Sequence, residues 1–384
     1  MSHITCRFEP FDTWFFRESR PQGSMGASEL GSVFPPPVGT LLGAVRTLIG
    51  DAWHAQNGTT WRQLGDLDEL RALIGDSDDL GALTCQGPYL SLDGQRLFPA
   101  PANLMVKDEV YFLLGLGEPV NCDLGTIHLP SFPQAIEGLD DLAGAKPADN
   151  CWLTSAGWNA ILAGQAPAAI HVVKRQQLVS DEPRLGIGRD NSRSAVSHGM
   201  LYQTRHLRMH AGVAIELDLM GLPDDLALPG SQVIRLGGEG RQASLSLCKA
   251  NQNLPPSPTI NSTRMALYTL SPTRCAEELP AGIPAGFIRT KANGVDVWEG
   301  DVCGLKLRIL TVVCSRALRE GGWDMARHEA RPVTSLLPAG SILFVELLPE
   351  QTVNPDQLYS LANGSCVARG RGQLLIGHMP ASLF

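Results

Sequence analysis

The chain has 384 residues, 43% of them apolar and 18% charged, so it can bury real cores and is not disordered. Its net charge of −8 argues against a free-standing nucleic-acid binder. No apolar run reaches the ~18 residues of a membrane span, and Arg7, Glu9 and Asp12 interrupt any leader-like start, so a soluble cytoplasmic protein without a membrane partner is expected.

Residues 8–16 are dense in aromatics, which favour strands. Pro35, Pro36 and Pro37 cannot sit inside a helix but can lead into one. Leu41, Leu42, Val45, Leu48 and Ile49 then share one helical stripe, and Gly50 offers a left-handed stop. The chain therefore opens as strand, loop, helix. Residues 51–170 read as a long insertion with short helices at 68–74 and 155–162. An acidic run at 66–80, net −5, offers a face for a basic partner.

Order returns at 171–179, a strand. A basic loop and a second strand at 201–209 complete an extended hairpin, and residues 171–208 carry a net charge of +4. Val213, Ile215, Leu217 and Leu219 alternate with polar residues, as in a half-buried strand. A short helix is expected at 222–226 and a strand pair at 233–236 and 243–248. The Pro-rich NQNLPPSP at 251–258 marks a domain boundary. Four strand-like runs follow it, MALYTLSP, LKLRILTVV, GSILFVELL and GQLLIG. The expected fold class is α+β, with domains at 1–255 and 256–384.

Nine cysteines are scattered without a C-x-x-C pair, so neither a disulfide framework nor a zinc ribbon is expected. No Walker loop, dinucleotide turn, HExxH or nucleophile elbow is present, so no cofactor, metal or catalytic residue is assigned. Cations are mostly Arg, 25 against 6 Lys. Arg forks phosphate and stacks on bases, although a general compositional bias towards Arg explains the global excess equally well.

Several strings point one way in their joint order: FEPFDTWFFRESRP, FPPPVGTLLGAVR, GIGRDNSRSAVSHGMLYQTRHLR, RLGGEGR, GGWDMARHEARPVTSLLPAGSILFVEL and RGRGQLLIG. Together they resemble the third-subunit family of the Cmr complex, the RAMP-superfamily protein of type III-B CRISPR effectors. The resemblance covers most of the chain, with 51–170 the least recognisable part. It implies tandem RRM-like (ferredoxin-like) domains with antiparallel sheets and helices on one face. It also implies a non-catalytic subunit that caps the crRNA 5′ tag. Its partners would be crRNA, the large palm-domain subunit and the first backbone RAMP subunit, with target RNA met only indirectly.

Under that resemblance Lys174, Arg189, Arg193, Arg205 and Arg208 would grip phosphates, with Tyr202 or His206 stacked on a base. The glycines at 186 and 188 would let RNA approach the backbone. Gly238 and Arg241 would form a phosphate nest, unless LGGEGR is only a tight turn. The late loop would offer Arg369 and Arg371 among Gly370 and Gly372. Arg17 and Arg20 lie in a plausible RNA or neighbour contact loop, and Trp14, Phe15 and Phe16 offer a stacking surface from which at least one must turn to the core. Three other readings stay open. One is a RAMP endoribonuclease processing precursor crRNA, with His198, His206, His210 or His328 as base; another is a tag-capping subunit of a different type III effector; the third is a small-molecule enzyme.

Overall fold

The computed structural model describes residues 2–19, 29–61, 68–190, 192, 195–251, 254–275, 282–324, 327–354, 357, 359–362 and 365–380. The fold is mixed, with few helices, and its main sheets are antiparallel. The chain divides into two compact units, neither continuous in sequence. The first comprises Met1–Gln95, Gln176–Asn251 and Arg319–Thr334; the second comprises Arg96–Arg175, Gln252–Leu318 and Ser335–Phe384. This differs from a single cut at 255, because residues 96–175 belong with the later sequence and residues 319–334 with the earlier.

In the first unit the opening strand, Ser2–Pro10, lies between Val213–Leu222 and Gln242–Lys249. Thr84–Leu92 pairs on the far side of Val213–Leu222, so part of the expected insertion supplies a strand of this sheet. Flanked on both edges, Val213–Leu222 is buried on both faces through Leu219, not half-buried. Its polar residues are satisfied inside: Glu216 accepts from Arg7 at 3.2 Å, and Asp218 accepts from Thr5 at 2.6 Å. Burying such groups without partners would cost several kcal/mol (roughly 2–7). The helix expected at 222–226 is absent; the strand runs on to Leu222 and a turn follows.

Helix α1 spans Val38–Asn57 and buries the predicted stripe. It runs past Gly50, and the left-handed cap is Gly58, with φ 64°. Gly50 is small for another reason, since a Cβ there would lie 2.2 Å from the ring of Trp61. Helix α2, Asp68–Ile74, has the predicted bounds and packs on α1 through Leu70, Leu73 and Ile74. The acidic turn after it meets arginines of this same chain. Arg71 reaches Asp76 at 2.6 Å, and Arg46 donates to the Asp76 carbonyl at 2.7 Å. From residues 319–334, Arg327 reaches Asp78 at 2.7 Å, and Arg331 donates to the Ser77 carbonyl at 3.1 Å.

In the second unit the four predicted runs form adjacent strands Leu305–Val313, Ile342–Leu347, Arg264–Thr269 and Leu374–Gly377, extended by Val295–Val302 and Ile288–Ala292. One face carries a core of Met265, Leu267, Leu307, Ile309, Leu343 and Val345. Helix α3, Ser155–Leu162, again as predicted, sits against Leu374–Gly377 and sets Trp158 edge-on to Tyr268 at 5.4 Å. Both of those rings are fully buried.

Candidate nucleic-acid interface

The basic region of the first unit is a long hairpin of Val179–Asp190 and Ala195–Met209. The segment expected as a loop is therefore mostly strand among the described residues. Strand alternation places Glu182 opposite His206 and Arg184 opposite Thr204, so Glu182, Arg184, His206 and Arg208 share one face. The loop after the opening strand docks on that hairpin. Trp14 and Leu207 exchange both backbone hydrogen bonds, at 2.9 and 2.8 Å. Phe15 stacks on His206 at 5.2 Å, and Thr13 lies 3.1 Å from His206 Nδ1.

This docking delivers Asp12 to the arginines. Its Oδ2 accepts from Arg184 at 3.0 Å and Arg241 at 3.1 Å, and its Oδ1 accepts from Arg208 at 3.0 Å. Glu182 takes the other side, accepting from Arg184 at 2.9 and 2.6 Å and from Arg208 at 2.5 Å. Two carboxylates and two guanidiniums thus form a closed ring, with Arg241 attached through Asp12. Hydrogen bonds from Arg184 and then Arg208 hold the Asp12 carboxyl below the ordinary range; for Glu182 the order is Arg208, then Arg184. The cluster keeps an excess of one positive charge.

Of the sequence-predicted residues, Arg208 and Arg241 lie in this cluster. Arg205 lies on the same hairpin and pairs with Glu29. Tyr202 is half-buried, its ring lying over Gly186, where a Cβ would stand 2.3 Å away. Gly186 thus makes room for Tyr202, not for RNA. His206 is not a base-stacking residue: it is 0% exposed. Burial, then Arg241 and Arg184, depress its pKa and favour the neutral ring. Gly238 does not form a free nest, because its N–H donates to the Phe15 carbonyl at 2.8 Å. Trp14, Phe15 and Phe16 are all core, which leaves no stacking surface there. Arg17 is exposed and bridges to Ser32, whose hydroxyl donates to the Arg205 carbonyl at 2.7 Å. Arg189 is on the hairpin opposite Val196, while Arg20 and Arg193 lie outside the described residues.

The remaining candidates belong to the second unit. Lys174, at the end of a short strand, pairs with Glu109 at 3.0 Å and so is not part of the hairpin. Gly370 and Gly372 are buried and their N–H groups are taken, by Val367 at 2.9 Å and Pro272 at 3.3 Å. A Cβ on Gly372 would meet the Ala362 nitrogen at 2.7 Å, so these glycines serve a tight internal turn. Arg369 and Arg371 flank them, half-buried.

A family model described as CRISPR-associated protein (Cas_Cmr3) matches residues 6–379. The chain belongs to the Cas_Cmr3 family. No curated protein matches it. A chain of the type III-B Cmr-beta complex bound to cognate target RNA is 15% identical over 88% of this chain and 86% of its own, with a TM-score of 0.46. A chain of the Csm3-Csm4 subcomplex of a type III-A interference complex is 10% identical over 97% and 98%, with a TM-score of 0.36.

Within this Cas_Cmr3 chain, sequence reasoning missed Asp12, Glu182 and Arg184 as members of the cluster. Glu182 and Arg184 carried a signal, their i, i+2 spacing, once 179–190 is read as a strand. Asp12 carried none, since its partners lie 172, 196 and 229 residues away.

Proposed function

We propose that this chain is the non-catalytic RNA-binding subunit of a type III-B CRISPR effector in antiviral defence. It clamps the 5′ tag of crRNA on the hairpin and docks that end to the large palm-domain subunit and the first backbone subunit. Its two units are RRM-like RAMP domains. The observation that carries the reading is the ring at the hairpin root, where Arg184, Arg208 and Arg241 converge with a net positive charge in a Cas_Cmr3 family member. Guanidinium forks suit phosphate oxygens, and such contacts fall off with salt. A nuclease reading gains nothing from His206, whose side chain is fully buried.

The test is RNA binding and cleavage with the chain co-purified with its neighbours. Labelled RNA carries either a repeat-derived 5′ tag or a scrambled one, and the protein is wild type or Arg184→Ala/Arg208→Ala. Tag-selective, uncut binding that weakens in the variant supports the reading. Cleavage that tracks this chain, or binding indifferent to both tag and variant, overturns it.

A further inference from the structure

The Asp12 carboxylate has the placement of a bound phosphate. Its two oxygens accept from three guanidiniums at 3.0, 3.0 and 3.1 Å, as the two free oxygens of a phosphodiester would. Glu182 is placed differently. It lies within the hairpin strand and braces Arg184 and Arg208 from the side. Without Asp12, those two arginines would keep a carboxylate partner. Arg241 would not, and its buried Nε already has no hydrogen-bond partner among the described residues.

Asp12 also lies in an exposed part of the cluster. Pro10 is held in the sheet opposite Ala243, and Thr13 and Trp14 are buried against the hairpin. Between these anchors, Phe11 and Asp12 form an exposed bend. Asp12 is 46% exposed, and Phe11 presents its ring to water at 62% exposure. An exposed aromatic side chain one residue from the carboxylate on which arginines converge is the composition of a single-stranded RNA site, with phosphate on the cations and a base on the ring.

We propose that Asp12 is an exchangeable phosphate surrogate: RNA binds by displacing its carboxylate from Arg184, Arg208 and Arg241, and Phe11 stacks on the adjoining base. This rests on the RNA-binding reading of the same site. In the free chain Asp12 keeps the three forks apart yet aimed at one point, so the site is ordered before RNA arrives. Displacement removes one negative charge from the seat and a phosphate restores it, so the charge balance is unchanged. An anion without a base replaces only Asp12 and gains nothing from Phe11.

The experiment measures single-stranded, repeat-derived RNA binding to the full chain by fluorescence anisotropy at low salt, with thermal melting recorded for each variant. Asp12→Asn keeps the shape and removes the competing charge, and it should bind RNA roughly tenfold more tightly. Phe11→Ala should bind several-fold more weakly at an unchanged melting temperature. Unchanged or weaker binding by a stably folded Asp12→Asn overturns the exchange and makes Asp12 a strut. If Asp12→Asn melts early, Phe11→Ala decides, and unchanged affinity there overturns the proposal. Failure of the RNA reading itself looks different, because Arg184→Ala/Arg208→Ala would then also leave binding unaltered.

Discussion

At the acidic turn 76–79 and at the root of the hairpin, arginines meet carboxylates at similar distances, yet the surroundings differ. At the turn the central carboxylate is Asp324, 3% exposed, which accepts from the Ser77 hydroxyl, the Arg327 backbone N–H and the Arg331 guanidinium. Its partners come from two chain segments and hold residues 319–334 onto the first unit. At the hairpin both carboxylates are partly exposed, cations exceed anions by one, and an exposed phenylalanine adjoins. A set of charges centred on a buried carboxylate fastens a fold. An open, surplus set leaves capacity for a ligand. The acidic run, which in sequence suggested a basic partner, finds arginines of its own chain.

The sharpest break of this comparison is Asp324→Ala. It leaves Ser77 and Arg331 without their carboxylate and should cost about 2 kcal/mol in urea unfolding, with RNA affinity per folded molecule unchanged. Arg184→Ala/Arg208→Ala should show the converse, RNA affinity down at least tenfold or so and steeply salt-dependent, with little change in the unfolding midpoint. Third, pH separates the contributions. The folded pKa of His206 is depressed, so its contribution is fully present above the ordinary histidine range and is lost as pH falls through the folded value. Stability should drop as pH falls below the ordinary histidine range, and His206→Gln should flatten that drop. Asp12 and Glu182 are depressed too, so their pairing persists until pH falls below the ordinary carboxylate range. The smallest effect is expected for Arg327→Ala. Its partner Asp78 is 70% exposed, and the midpoint should stay within error in moderate salt.

Local patterns were legible in the sequence; distant pairings were not. Helices α2 and α3 each bury one face and the four late strands are short apolar runs, three of them buried on both faces, so both kinds of element show in local sequence. The end of α1 was misplaced because a glycine can serve as a helix stop or as room for a neighbour, and Trp61, eleven residues on, chose the second role at Gly50. At the site, Arg208 and Arg241 were visible as cations, but their grouping depends on Asp12 at the far end of the chain. The Gly-Arg loop at 369–372 shows the opposite failure, a motif whose glycines close an internal turn.

Residues 319–334 also bear on how the molecule is made. The first unit takes its last piece from near the end of the chain, so a ribosome has to release residues up to Thr334 before that unit can close. Synthesis proceeds at about 5–20 residues per second, which leaves the turn after α2 without Asp324, Arg327 and Arg331 for roughly 12–50 s after α2 has been made. A nascent chain halted at 251 would carry the hairpin and Asp12 but not this late brace, and the earliest-translated unit is therefore among the last parts to be secured.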